Sequence, residues 1–310
     1  MRICFLGTAA AAVPPLEALL AAADVEVAAV VTNPDRPAGR GHRPQPPPVK
    51  LVAERAGVPV WQPARAPEIL AGLTALRVDA CAVVAYGALL PPEVLAAGGA
   101  GFVNLHFSLL PAWRGAAPVQ HTILAGDHRT GVTCFLLERG MDTGPVLRRA
   151  TTHVGPEETA GELTARLAVL GAPELVAALR GLVDGSLEPV PQDHVRATYA
   201  PKLTAVDARL DWTLDAAVLE RAVRAFNPAP GAHTAFDGLR LKVHRARPVP
   251  GRGEPGAVVR LDDAGPVVGC GSGALRLEQV QPAGKPRMTG TAFANGYRPL
   301  GRRLGDDGPG

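Results

Sequence analysis

The sequence predicts an α/β protein in which a Rossmann-like, mostly parallel sheet is followed by a small β-barrel. Three observations predict it. From residue 2 to about residue 185, short β-rich apolar runs alternate with amphipathic stretches, the pattern of a sheet covered by helices. Residues 186–207 are polar and poor in helix signals, as a linker is. After them come short strand-like runs divided by glycine-rich turns at Gly238, Gly251–Gly256, Gly265 and Gly269–Gly273, the spacing of a small barrel. The expected organisation is therefore a first domain at 1–185, a linker at 186–207 and a second domain at 208–310.

Taken in order, the strands of the first domain are expected at Arg2–Leu6, Val25–Thr32, Asp79–Ala85, Gly101–Leu105, Gly131–Leu137 and Val146–Ala150. Each is a short run rich in branched or small apolar residues, which suits a strand buried on both faces. Helices are expected at Pro14–Ala22, Pro48–Ala56, Pro92–Ala97, Pro118–Leu124 and Thr159–Leu182. Four of the five open at a proline, whose fixed φ and missing N–H suit the first helical turn. The segment 33–50 breaks the rhythm with six prolines, two glycines and four basic side chains. A stretch that long and irregular reads as a functional or unstructured loop. In the second domain one helix is expected at Leu214–Phe226 before the barrel strands.

At 310 residues the chain exceeds the about 250 at which single cores stop growing, so two domains are expected. With 47% apolar and 20% charged residues it has the composition of a globular protein. No apolar run approaches the roughly 20 residues of a membrane span, and the opening M-R-I-C-F-L-G reads as a buried strand. A cytoplasmic location is the expectation. Cys4, Cys81, Cys134 and Cys270 are scattered without C-x-x-C spacing and read as small core residues. The net charge of +3 hides an asymmetry: residues 1–207 carry 17 basic and 19 acidic side chains, residues 208–310 carry 15 and 10. A basic second domain is compatible with a polyanion, and equally with a plain solvated surface.

The densest chemical signal is G-F-V-N-L-H-F-S-L-L-P-A-W-R-G-A-A-P at 101–118, which begins as a strand and ends in a turn. Its polar side chains emerge at the carboxyl end of a parallel strand, the edge where open α/β sheets bind ligands. Asn104 and His106 are two apart and share a face. Asp142 lies in the glycine-flanked turn of L-E-R-G-M-D-T-G. Such a set suits acyl transfer: an amide to stabilise an oxyanion, an imidazole to relay a proton, and a carboxylate to orient the imidazole or collect charge. Spacing alone leaves open a core histidine beside an ordinary turn. A nicotinamide-dependent dehydrogenase is disfavoured because the first strand leads into G-T-A-A-A-A, not G-x-G-x-x-G. The eight histidines show no H-E-x-x-H and no zinc-like grouping, so no metal is expected.

N-x-H-x-S-L-L-P-x-W-R-G-x-A-P, followed by G-x-D-T-G, resembles the folate-dependent formyltransferase family. The opening F-L-G-T, the run V-V-A-Y-G-A-L-L-P-P-E-V-L at 83–95, the loop P-D-R-P-A-G-R-G, D-W-T-L at 211–214 and R-A-F-N-P-A-P-G at 224–231 resemble its branch acting on methionyl-tRNA. The likeness covers nearly the whole chain and departs at Ala9–Ala12, where the family more often has a proline and an aromatic. It implies a formyltransferase fold with an OB-like barrel. It also implies transfer of the formyl group of 10-formyltetrahydrofolate to the amine of methionyl initiator tRNA, by direct attack without a covalent enzyme intermediate.

Carried over residue by residue, the resemblance makes Asn104, His106 and Asp142 catalytic, and makes Ser108, Leu109, Leu110, Pro111, Val84, Tyr86 and Gly87 folate-binding. It puts Arg36, Arg40, Arg43 and Lys50 of the long loop against the tRNA acceptor stem, with Lys202, Lys285 and Arg287 as further phosphate contacts. A monomer is expected. Relatives that use the same trio on a sugar-nucleotide amine, or on water as a formyltetrahydrofolate hydrolase, give no obvious use to so long an arginine-bearing loop. A non-catalytic tRNA-binding module has no need of the trio.

Overall fold

The computed structural model describes residues 1–38 and 43–305, which divide into two compact units. The first comprises Met1–Pro118, Arg129–His153 and Thr164–Ala200. The second comprises Val119–His128, Val154–Leu163 and the chain from Pro201 on.

The first unit is built on strands β1 (Arg2–Gly7), β2 (Glu26–Val31), β5 (Val60–Trp61), β6 (Ala80–Val84), β7 (Phe102–His106), β8 (Arg129–Leu136) and β9 (Val146–His153). A separate hairpin pairs β3 (Arg36–Ala38) with β4 (Arg43–Gln45). The sheet order is β5-β2-β1-β6-β7-β8-β9, parallel through β7 and antiparallel at β8 and β9. Every residue of β6 is buried, as is β1 beyond Arg2, because helices cover both faces of a parallel sheet. The covering helices are α1 (Val13–Ala21), α2 (Pro48–Arg55), α3 (Ile69–Leu76), α4 (Pro92–Leu95), the start of α5 (Pro118–Ala125) and most of α6 (Ala160–Val183). α1, α2 and α4 carry proline in their first turn, as expected.

Two departures have local causes. β5 and α3 went unanticipated because one is two residues long and the other contains Gly72, a poor helix former. Gly72 is there because a Cβ would lie 2.4 Å from the Trp61 ring, so the side chain of β5 fills the space a larger residue would need. The segment read as a functional or unstructured loop holds the paired strands β3 and β4, with Arg36 opposite Gln45. Lys50 ties its base: the ammonium donates to Asp35 at 3.0 Å and to Gln62 Oε1 at 2.9 Å.

In the second unit β10 (His233–Phe236), β11 (Leu239–Val249), β12 (Val258–Asp262), β13 (Gly265–Gly269) and β14 (Ala274–Pro282) form an antiparallel half-barrel in the order β10-β11-β14-β13-β12, with β15 (Met288–Thr289) pairing β14. α7 (Ala216–Ala225) starts where the Asp215 carboxylate accepts from Ala217 N at 2.7 Å. The first turn of α6 is closed reciprocally, Thr159 N donating to Glu162 and Glu162 N to Thr159 Oγ1. α7 and α8 (Gly290–Tyr297) cover one core of Trp212, Leu219, Phe226, Phe236, Leu277 and Phe293. Phe293 is fully buried, edge-on to Phe236 and stacked on Tyr297 at 4.9 Å between centroids.

Removing that ring leaves a cavity among rigid neighbours. Phe293→Ala is expected to cost about 3–5 kcal/mol of unfolding free energy, read from urea denaturation of the second unit's transition.

Candidate active site

β7 runs parallel to β6 and antiparallel to β8, with Asn104 opposite Val83 and Phe135, and His106 opposite Thr133. Alternation along the strand puts Asn104 and His106 on one face, as expected. His106 is 6% exposed, its ring edge-on to Phe135 at 6.3 Å. Nε2 lies 2.9 Å from the Trp113 carbonyl oxygen. A carbonyl only accepts, so Nε2 carries the proton and Nδ1 of the neutral ring presents its lone pair.

Asp142 faces that lone pair, with Oδ2 3.8 Å from Nδ1, beyond hydrogen-bond reach. Its oxygen is instead bound by Gly115 N–H at 2.7 Å. Of the two roles the sequence left open to Asp142, orientation of the ring falls to the Trp113 carbonyl, and charge beside an imidazolium suits the carboxylate. Among the described residues no side-chain hydrogen bond is formed by the Asn104 amide, so its N–H groups are free to donate.

The turn after β7 is held by groups that sequence reasoning missed. Trp113 has φ 61°, in the left-handed region, and is fixed by Thr198: Trp113 N donates to Thr198 Oγ1 at 2.9 Å and Arg114 N to the Thr198 carbonyl at 2.8 Å. Gly115, at φ 124°, admits no side chain, because a Cβ would lie 2.6 Å from the Ala200 carbonyl oxygen. The signal available was the W-R-G tripeptide, but its partners lie some 80 residues on, in a stretch that reads as linker.

The expected folate residues fall into two groups. The Ser108 hydroxyl is fully buried and donates to the Ala112 carbonyl at 2.6 Å, shaping the turn. Thr133 Oγ1 donates to the Ser108 carbonyl at 2.7 Å and accepts from Leu110 N at 3.1 Å, while Arg149 donates to the Leu110 carbonyl at 2.7 Å. Leu109 and Pro111 are half-buried and Leu110 is buried. After β6, Val84 and Tyr86 are buried and Gly87 is exposed with φ 79°. The Tyr86 carbonyl accepts from Thr8 Oγ1 and Asn33 Nδ2, both at 3.1 Å, which fixes this wall. Burial pushes the Tyr86 phenol above its ordinary pKa, so it stays a neutral hydroxyl.

Of the expected tRNA contacts, Arg36 is exposed on β3. Arg40 lies outside the described residues, and Arg43 is placed by the backbone register opposite Ala38. Lys50 is spent on Asp35 and Gln62. Lys202 and Lys285 are exposed. In the second unit Arg287 donates to His244 Nδ1 at 3.1 Å, and His244 Nε2 lies 3.1 Å from Gln281 Oε1. Arg287 only donates and Oε1 only accepts, so His244 is held neutral with its proton on Nε2. Burial is the largest influence and lowers its pKa; the Gln281 hydrogen bond pulls the other way, and the charges of Arg287 and Lys242 add to the lowering, so the net shift is downward. No group of His, Cys, Asp and Glu that could hold a metal occurs among the described residues.

The Formyl transferase family pattern matches residues 1–179, and the pattern for the formyl transferase C-terminal domain matches residues 202–298. A Frankia alni protein named methionyl-tRNA formyltransferase is 50% identical over 304 residues, covering 96% of this chain and 92% of its own length. The protein of the same name from Streptomyces coelicolor is 50% identical over 311 residues, 99% of this chain and 100% of its own. Among solved structures, HypX from Aquifex aeolicus in complex with tetrahydrofolic acid superposes with a TM-score of 0.65 at 18% identity. That match covers 96% of this chain, which spans about half, 47%, of the HypX chain.

The His244 arrangement predicts a pH dependence. Its folded pKa lies below the unfolded 6.5, so its contribution to stability is complete above pH 6.5 and is lost as pH falls through the folded value. The melting temperature of the protein is expected to decline below pH 6.5, and His244→Gln to remove that part of the decline.

Proposed function

Since the chain belongs to the formyl transferase family, and within it to the methionyl-tRNA formyltransferases that formylate methionyl-tRNA, we propose that Asn104, His106 and Asp142 carry that transfer from 10-formyltetrahydrofolate to methionyl initiator tRNA. The observation that carries the assignment is an uncommitted amide at Asn104 on the same face of β7 as an imidazole whose Nδ1 faces the Asp142 carboxylate. Relatives alike over their full length do not favour a sugar-nucleotide formyltransferase or a hydrolase.

Bound 10-formyltetrahydrofolate supplies the formyl carbon. Asn104 donates its N–H to the formyl oxygen as negative charge gathers there. His106 accepts at Nδ1 the proton released by the attacking amine and returns it to the departing nitrogen, while Nε2 stays on the Trp113 carbonyl. The Asp142 carboxylate, 3.8 Å away, stabilises the imidazolium between those transfers. The chemistry needs no covalent formyl-enzyme. Leu109, Leu110, Pro111, Val84, Tyr86 and Gly87 line the folate, with Ser108 holding the turn that presents them. Arg36, Arg40, Arg43, Lys202 and Lys285 bind tRNA phosphates. In this reading the enzyme is a cytoplasmic monomer.

Incubation with 10-formyltetrahydrofolate and methionyl-tRNA tests the reading. Initiator tRNA is expected to be formylated and elongator tRNA hardly at all. His106→Ala should abolish turnover, and Asn104→Ala should lower kcat by about 10²–10³-fold, the size of a lost oxyanion donor. Folate turnover without a tRNA product would overturn the tRNA assignment.

Arg36→Ala is expected to raise KM for the tRNA with kcat little changed, and to flatten the fall of tRNA affinity with salt, since each lost phosphate contact removes about 0.9 from the log–log slope.

A further inference from the structure

Asp142 sits in the turn Gly140–Gly144 with φ 53°, a left-handed conformation that is strained for a side-chain-bearing residue and persists only where its surroundings enforce it. Its carboxylate is held by Gly115 N–H. Its backbone is held by Gln192, a 5% exposed residue beyond the last sheet strand. Gln192 Nε2 donates to the Asp142 carbonyl at 2.9 Å and to the Gly144 carbonyl at 2.7 Å, spanning the turn. Gln192 Oε1 accepts from Arg114 Nε at 3.1 Å and Nη2 at 2.7 Å.

This amide has one orientation. Arg114 only donates and the two carbonyls only accept, so a flipped Gln192 would lose all four bonds. Arg114 is 2% exposed and pairs with no carboxylate among the described residues; its other side-chain bond goes to His194 Nδ1 at 3.1 Å. A buried cation without an acid is costly unless its hydrogen bonds are well made, so its retention calls for a role. Here it pins Oε1 and aims both N–H groups at the turn that carries Asp142.

We infer that Gln192, pinned by Arg114, is a positioning residue for the transfer, fixing the left-handed turn so that the Asp142 carboxylate faces His106 Nδ1. The inference rests on the catalytic assignment of Asp142 made above. Gln192 supplies no group to the substrate; its effect passes through the backbone of residues 142–144.

The test compares Gln192→Met, Gln192→Glu, Asp142→Asn and the double variant Gln192→Met/Asp142→Asn, measuring kcat and KM for methionyl-tRNA alongside the melting temperature. Gln192→Met, which keeps length and loses every bond, is expected to lower kcat about a hundredfold with KM within threefold, as a small displacement of a catalytic group does. Gln192→Glu keeps and strengthens the bond to Arg114 but turns oxygens towards both carbonyls. It should be as slow as Gln192→Met even where its melting temperature equals that of the unsubstituted protein. In the Asp142→Asn background, Gln192→Met should change kcat by less than about twofold, because the group it positions is already lost. Full activity in Gln192→Glu, or additive losses in the double variant, would overturn the inference and leave the assignment of Asp142 standing. Full activity in Asp142→Asn would overturn both.

Discussion

The hydrogen bond from His106 Nε2 to the Trp113 carbonyl is the constraint on which the rest of the site depends. A buried imidazole in the interior edge of a sheet has two nitrogens and one available proton, and the partner of one nitrogen decides what the other can do. With Nε2 committed, Nδ1 is left as the acceptor, and every other feature serves to put something useful in front of it. The left-handed Trp113 backbone aims the carbonyl, and the Thr198 and Ala200 pairings hold that backbone. The Gly115 N–H then meets Asp142 from the same turn. One short segment thus orients the imidazole and anchors the carboxylate.

The economy of polar groups at this edge follows from burial. An unsatisfied buried donor or acceptor costs about 1–3 kcal/mol, so the carbonyls of Ser108, Leu110, Asp142 and Gly144 each have a donor, from Thr133, Arg149 or Gln192. Against that background the Asn104 amide, without a side-chain hydrogen bond among the described residues, stands apart. In the proposed transfer it is this open amide that meets the formyl oxygen.

The second unit uses arginine differently. Arg245 and Arg247 pair with Glu157 and with Glu278, and Arg276 joins Glu278 to Asp262. Part of the arginine complement is therefore tied up locally in ion-pair networks, and the unpaired cations left for a polyanion are fewer than the count of basic residues. Where basic groups do crowd, around His244, the histidine is kept neutral by the tautomer that Arg287 and Gln281 impose.

Much of this was legible in the sequence, because the signals are local. Apolar runs of strand length, prolines at helix starts and the spacing of two in N-L-H fix which segments become strands and which side chains share a face, since backbone geometry alone sets those periods. The likeness of whole motifs named the chemistry and pointed to three candidate residues. What the sequence withheld is whatever depends on partners distant along the chain. Nothing in L-P-A-W-R-G states that the Trp113 carbonyl receives His106, or that Arg114 grips an amide 78 residues away. Gln192 reads as one polar residue among many in a helix-poor stretch, and Lys50 as a free cation, until folding brings Asp142, Asp35 and Gln62 to them. The sequence by itself determined the elements and pointed to the candidate reactive groups. The tautomer, the held turn and the spent cations were decided by tertiary structure, because hydrogen bonding acts over about 3 Å of space regardless of separation along the chain.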